Sequence, residues 1–305
     1  MDRLSAMQVF VKVVEAGSFV RAAELLDIST TAASRLVADL ENHLNARLLQ
    51  RTTRRLSLTE AGRAYFERAT QILADIDEAE SALGSETAKP SGVLRVNAPV
   101  SFGVRHLSAV LPRYQAAYPD VRLDFTLSDR VVDLVEEGYD LALRITSQPA
   151  GNLVARRIAP IRIAVTAAPA YLATHGTPQM PQEIAGHNCL IYSYGANSDE
   201  WRFFDQSGNA QTVKVKGTLR ANNGDLLVAA ARAGEGLIRE PTFLVGDDLK
   251  SGTLVHVLPE FTIPELALYA IYPSRRHLSA KVRSFIDFLL GEWGEMPPWD
   301  AWMQV

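Results

Sequence analysis

The sequence predicts a chain that is α/β overall: an all-α head of about sixty residues, one long linker helix, and a two-lobed α/β remainder. Three observations predict this. Amphipathic helical patterns fill the first 45 residues, a seam of helical spacing runs from Tyr65 to Leu83, and strand and helix patterns alternate from Val93 onward. At 305 residues the chain exceeds one typical domain, so more than one core is expected.

Composition narrows the possibilities. A net charge of −4 does not mark the whole chain as a partner for polyanions, but the charge is unevenly placed. Six arginines (Arg47, Arg51, Arg54, Arg55, Arg63, Arg68) face two acids over residues 47–68, whereas residues 69–87 hold five acids and no base. One surface devoted to an anion would explain this, as would a solvated charged face. Cys189 is the single cysteine, which excludes an internal disulfide. No apolar run approaches the roughly 20 residues that span a bilayer, so no membrane partner is expected. Lys12 and Glu15 interrupt the first apolar pattern, which is therefore not read as a signal peptide. The expected location is the cytoplasm.

Leu4, Met7, Phe10, Val11 and Val14 form the stripe of a first helix, ended by Gly17. Ser18 can cap the next, "FVRAAELL", whose alanines Ala22 and Ala23 let another helix approach closely. After a break at Asp27–Ser29 a third helix places Leu36, Leu40 and Leu44 inward, with Asn45 at its end, where positive φ is wanted. Two helices joined by about four residues follow the helix-turn-helix plan, whose second member enters the major groove. Thr30, Thr31, Ser34 and Arg35 lie on the early turns opposite the leucines. Hydroxyls there suit phosphates or thymine methyls, and Arg35 suits a guanine edge or a phosphate. Ser29 or Thr30 acting only as an N-cap, and Arg35 only as a surface charge, are the plainer readings. "ARLLQRTTRRLSLTEAG" alternates about a tight turn and reads as a two-stranded wing, carrying Arg51, Thr52, Arg54 and Arg55. Guanidinium groups on such a projection suit phosphates and the narrow minor groove.

The segment "GSFVRAAELLDISTTAASRLVADLENHLNARLLQRTTRRLSLTEAG" resembles the N-terminal winged helix-turn-helix of the LysR-type transcriptional regulators. Its SF-x-x-AA-x-x-L, S-R-x-x-x-x-LE, R-T-T-R and L-T-x-AG elements stand at that family's spacing. Where the family usually has Gly after the third helix and often Pro at its start, this chain has Asn45 and Thr30–Thr31. The resemblance implies that Thr31, Ser34 and Arg35 face bases and phosphates, and Arg54 the minor groove.

Tyr65, Ala69, Ile72, Ile76, Ala79 and Leu83 are spaced 4, 3, 4, 3 and 4 residues apart, an a/d seam of nearly three heptads. Such a seam packs either on a second copy or on its own head. The resemblance favours the first, since LysR-type proteins dimerise through this helix, and implies a homodimer or homotetramer on double-stranded DNA carrying an inverted repeat. RNA polymerase is a further candidate partner. The expected divisions are residues 1–59 (head), 60–84 (linker helix), 85–92 (polar linker) and 93–305.

From Val93, "VLRVNAP", "VRLDFTLSD" and "LALRIT" read as strands, with helices over "SFGVRHLSAVLPRYQAAYPD" and "VVDLVEEGYD" between them. "RIAVTAAP", "CLIYS" and "DLLVAAARAGEGLIREPTFLV", read as helix then strand through TFLV, begin a second lobe, and "LALYAIYP" with "AKVRSFIDFLLGEW" returns to the first. Lobe 1 is expected over about 93–162 and 265–290 and lobe 2 over about 163–264, with crossings near Arg162 and Pro264. This region resembles the LysR effector domain, which has the periplasmic-binding-protein architecture. Ligands of open α/β sheets sit beyond strand C-termini. That selects Ser101, Phe102, Ser128 and Arg144, with Asn222 and Asn223 before the "GDLLVAAARAG" helix and Trp201 and Arg239 closing the second lobe. Their hydroxyls, amides and cations suit a small anion such as a carboxylate as effector. Ser101 and Ser128 as plain N-caps, Trp201 as core, and Arg144 and Arg239 as members of an interdomain ion pair are the alternatives. Cys189 lies among apolar residues, an inert thiol rather than a redox sensor. No cofactor, metal spacing, phosphate loop or nucleophile elbow is found, so an enzyme is not expected.

Overall fold

The computed structural model describes residues 2–52, 55–83, 89–149, 153–194, 197–273 and 278–304. The chain forms two units, Met1–Ala88 and Lys89–Val305.

In the first unit, α1 (Arg3–Ala16), α2 (Phe19–Leu25) and α3 (Thr30–Leu44) are followed by β1 (Leu49–Thr52), β2 (Arg55–Leu58) and α4 (Glu60–Leu83). Local chemistry sets the boundaries. Gly17 stops α1 at φ 64°, Ser18 caps α2, and the Ser29 hydroxyl accepts from the Ala32 N–H at 3.1 Å to start α3. Asn45 ends α3 at φ 48°, a conformation that asparagine tolerates. Ala6, Phe10, Val13, Ala22, Ala33, Val37 and Leu40 form the core. β1 and β2 pair antiparallel, Leu49 opposite Leu58.

Two residues tie the wing to the helices. Glu41 Oε1 accepts from the N–H groups of Leu48 and Leu49, at 2.8 and 3.0 Å, fixing the turn from α3 into β1. Thr59 Oγ1 accepts from Gly62 N–H at 2.9 Å and so caps α4. A Cβ on Gly62 would stand 1.9 Å from the Leu48 carbonyl oxygen, so only glycine allows α4 to pass this close to β1.

The second unit holds two five-stranded sheets. β3 (Gly92–Ala98) leads into α5 (Val100–Phe102), a π-helical turn over Gly103–Leu107 and α6 (Ser108–Ala117). β4 (Val121–Leu127), β5 (Leu141–Thr146) and β6 (Val154–Ile161) follow. The second sheet is built from β7 (Ile163–Ala167), then, after α7 (Pro169–His175), β8 (Cys189–Tyr192). A separate hairpin, β9 (Glu200–Phe204) with β10 (Ala210–Lys214), precedes β11 (Arg220–Ala221), α8 (Gly224–Arg232), β12 (Leu237–Pro241), α9 (Thr242–Ser251) and β13 (Val255–Val257). The chain then returns as β14 (Leu266–Tyr272), α10 (Ala280–Glu292) and a closing 3-10 turn, Pro298–Gln304. Strand orders are β4-β3-β5-β14-β6 and β11-β8-β12-β7-β13.

The crossing from β6 to β7 takes place at Arg162, whose carbonyl accepts from Thr242 N–H at 2.9 Å and whose guanidinium meets fully buried Asp300 at 2.6 Å. One continuous core joins the lobes here. Phe102 lies 5.1, 5.3 and 5.4 Å from the rings of Trp293, Phe243 and Trp299, edge-on to each.

Two element expectations fail. "VVDLVEEGYD" is a series of turns rather than a helix: Asp133 Oδ1 takes the Val135 and Glu136 N–H groups, and Gly138 sits at φ 73°. "TFLV" is the start of α9 rather than strand, because β12 ends at Pro241, which removes the next backbone donor.

Candidate DNA-binding face and interlobe cleft

On α3, Ala33, Val37 and Leu40 are buried, which turns Thr30, Thr31 and Arg35 outward and leaves Ser34 half-buried between them. The Arg35 side chain is 84% exposed, and its nearest acid, Asp39, stands at 3.9 Å on the following turn. That pair is too long and too wet to hold the guanidinium. The face therefore presents short hydroxyls and one free-moving cation on a helix anchored from behind. Thr30 is not the cap, since Ser29 performs that function. Arg51, Thr52 and Arg55 occupy the wing strands, their side chains outside the described set, and Arg54 lies outside the described residues altogether.

The α4 seam divides. Ala69 is 1% exposed within the head core, and Tyr65 packs on Phe10 with ring centroids 5.6 Å apart. Ala69 is thus sealed inside the head, and half-buried Tyr65 covers its core from outside. Ile72 is 39% exposed and Ile76 half-buried, while the side chains of Ala79 and Leu83 lie outside the described set.

In the second unit the lobes meet across a charged bridge. Ser101 Oγ donates to Asp225 Oδ2 at 2.5 Å, and Arg105 reaches Asp225 Oδ1 through Nε at 2.8 Å and Nη2 at 2.6 Å. Burial alone would raise the Asp225 carboxyl, but these partners outweigh it and hold it below the usual carboxylate range. Asp129, after β4, accepts from Val100 N–H at 3.3 Å. Burial pushes its carboxyl up, Val100 and Arg144 oppose, and Asp225 adds to the rise. Glu240, on β12, is 3% exposed, and its Oε1 has no hydrogen-bond partner. Burial raises that carboxyl to about 8, with Arg239 opposing and Asp225 and Asp129 adding.

Most of the expected effector residues do other work. Ser101 belongs to the interlobe bridge, not to a helix cap, since Pro99 stands at the start of α5. Phe102 is fully buried in the aromatic junction, and Trp201 is 2% exposed in the lobe 2 core. Ser128 accepts from Arg130 N–H at 3.3 Å, and Asn222 donates to the Tyr194 hydroxyl at 3.1 Å. Arg144 donates to the carbonyls of Leu143 and Arg130. Arg239 lies 5.5 Å over the Trp201 ring and donates to the Glu200 carbonyl, so the contacts of both arginines are with backbone carbonyls and a ring rather than with an acid of the other lobe. Asp129, Asp225, Arg105 and Glu240 were missed. An acid in the first turn of a helix reads as ordinary dipole pairing, but Glu240 carried a signal: a carboxylate inside the buried run "GLIREP".

Cys189 is buried and its thiol is pushed up to about 12 by burial, an inert group. Among the described residues no three His, Cys, Asp or Glu side chains are grouped to hold a metal, and no helix is long and apolar enough to cross a membrane.

A wing-flanked helix-turn-helix on one unit and a two-sheet α/β domain on the other define a class: transcriptional regulators that bind DNA. Comparison with known proteins makes the family plain. Residues 4–63 match the profile of bacterial regulatory helix-turn-helix proteins of the lysR family, and residues 87–294 match the LysR substrate binding domain. This chain belongs to the LysR family of DNA-binding transcriptional regulators, and its named relatives are regulators rather than enzymes. The transcriptional regulator CrgA of Neisseria meningitidis serogroup C (strain 8013) is 38% identical over 289 residues, covering 94% of this chain and 96% of that protein. The solved structure of CrgA from Neisseria meningitidis matches with a TM-score of 0.60 at 36% identity, over 95% of this chain and 99% of that one. The full-length Vibrio cholerae virulence activator AphB matches with a TM-score of 0.59 at 27% identity, over 94% and 98%.

Proposed function

We propose that this regulator reads an inverted-repeat operator as a cytoplasmic homodimer or homotetramer, and that a small molecule between the lobes of its second unit sets how it sits on DNA. The observation that carries the first part is the outward face of α3. Thr30, Thr31, Ser34 and Arg35 stand opposite a packed core, and the Ser29 cap and Asn45 terminus hold the helix at both ends. With Arg51, Thr52, Arg54 and Arg55 on the wing, the head offers recognition groups and backbone groups together.

Pairing falls to the outer part of α4, from Ile72 through Ile76, Ala79 and Leu83, because Tyr65 and Ala69 are committed to the head. Two heads joined in this way address half-sites about one helical turn apart. RNA polymerase is the downstream partner of such a regulator.

The second part follows from the interlobe bridge. Ser101 and Arg105 of lobe 1 both hold Asp225 of lobe 2, so a ligand that competes with or braces this bridge favours one closure over another. Only a difference in affinity between closures shifts the population.

Fluorescence anisotropy with operator DNA tests the reading. Arg35→Ala should weaken binding by about 1–3 kcal/mol if Arg35 meets a base edge, or lower the salt slope by about one if it meets a phosphate. Unchanged affinity and unchanged salt slope would remove α3 from the interface.

A further inference from the structure

We propose that the interlobe cleft takes an organic cation, a molecule bearing an ammonium group, with Glu240 and Asp129 as the groups that receive it. This deepens the effector reading given above and rests on it.

The first support is the orphaned oxygen. Glu240 is nearly fully buried and its Oε1 has no partner, an arrangement that is unfavourable unless a counter-group arrives. Its other oxygen, Oε2, lies against the start of α8, where a Cβ on Gly224 would stand 2.9 Å away. The next residue, Asp225, spans to Ser101 on the other lobe. Glu240 therefore stands at the lobe junction and not deep within one lobe.

The second support is the set of charges around it. Arg239 is adjacent in sequence, but successive strand residues point to opposite faces, and its guanidinium lies over Trp201. The acids whose charges act on Glu240 are Asp225, next to Gly224 on α8, and Asp129, on the opposite lobe. Asp225 is already satisfied by Arg105 and Ser101, whereas Asp129 has Val100 N–H and the more distant field of Arg144. The Tyr192 ring sits at the end of β8, two residues past the Leu190–Ile238 pair just as Glu240 is on β12. Tyr192 feels both Asp129 and Glu240, and a phenol ring beside carboxylates is a favourable setting for an ammonium group. Because no three ligating side chains are grouped among the described residues, the site suits an extended organic cation rather than a metal ion.

The test uses the full-length protein at pH 8, melted in n-butylammonium chloride or 1,4-diaminobutane dihydrochloride, against sodium butyrate or succinate at matched ionic strength. The amines should raise Tm saturably, by a few °C at about tenfold over Kd, and the carboxylates should not. Glu240→Gln should abolish the amine effect while melting no lower than the wild type, since it removes an unpaired buried acid. Asp129→Asn should weaken amine binding about tenfold, and it stands as the second variant should Glu240→Gln fold poorly. Stabilisation by the carboxylates alone would overturn the ammonium assignment and leave the cleft reading intact. Stabilisation by neither set would overturn both. An amine effect kept in both variants would overturn the assignment of Glu240 and Asp129.

Discussion

Replacing Glu240 by glutamine removes a titrating group whose folded-state pKa is raised from 4.5 to about 8, chiefly by burial. A carboxyl that holds its proton more tightly folded than unfolded contributes stability that is complete below pH 4.5 and is lost as pH climbs through 8. This is opposite in sign to a carboxylate held by a cation. Inside that window the loss runs at up to about 1.4 kcal/mol per pH unit, about 5 kcal/mol in all. A domain of this size changes Tm by about 2–4 °C per kcal/mol, so the wild type should lose roughly 3–5 °C per pH unit relative to Glu240→Gln. Calorimetric melts of both proteins at pH 5, 6, 7 and 8, without amines in the buffer, measure the gap directly. Parallel curves would show that Glu240 is not held protonated. A wild type gaining on the variant as pH rises would show a cationic partner already in place.

Three further outcomes follow from the same packing. Phe102→Ala, at the junction of Trp293, Phe243 and Trp299, should cost about 3–5 kcal/mol in denaturant unfolding; a loss under 1 kcal/mol would mean that the junction is not packed as described. Cys189 should resist alkylation by iodoacetamide at pH 7.5 until the protein is unfolded, and rapid labelling of the native protein would contradict its burial. Glu41→Ala leaves the Leu48 and Leu49 N–H groups without an acceptor and should cost about 1–3 kcal/mol and weaken DNA binding, while a neutral result in both assays would remove Glu41 as the tie between α3 and the wing.

Much of the head was legible in the sequence because its signals are local. Gly17, Ser18, Ser29 and Asn45 each act on the helix end next to them. The reasons for two motif residues were not legible. Glu41 and Gly62 look like ordinary helix residues until the chain folds back and places Leu48 against both. The α4 seam shows the same limit: a spacing of three and four marks an apolar face but does not say what covers it, and the head took Tyr65 and Ala69. The second unit was legible as alternating strands and helices, whereas the β9–β10 hairpin and β6 were not read at all. The cleft was least legible. Strand-end reasoning pointed to Ser101, which lies at the lobe junction, but the bridge joins residues 124 positions apart, and that pairing has no local signature. Phe102 and Trp201 were drawn into the core because large rings gain more from packing than from a wet cleft.

The central claim, that α3 carries this regulator onto DNA, is tested most directly by hydroxyl-radical footprinting of the full-length protein on operator fragments selected from its genome. Wild type should protect two patches on one face of the duplex, about 10 base pairs apart centre to centre. The double variant Ser34→Ala, Arg35→Ala should lose that protection while keeping the wild-type melting temperature. A wild-type footprint retained unchanged by the double variant would contradict the account.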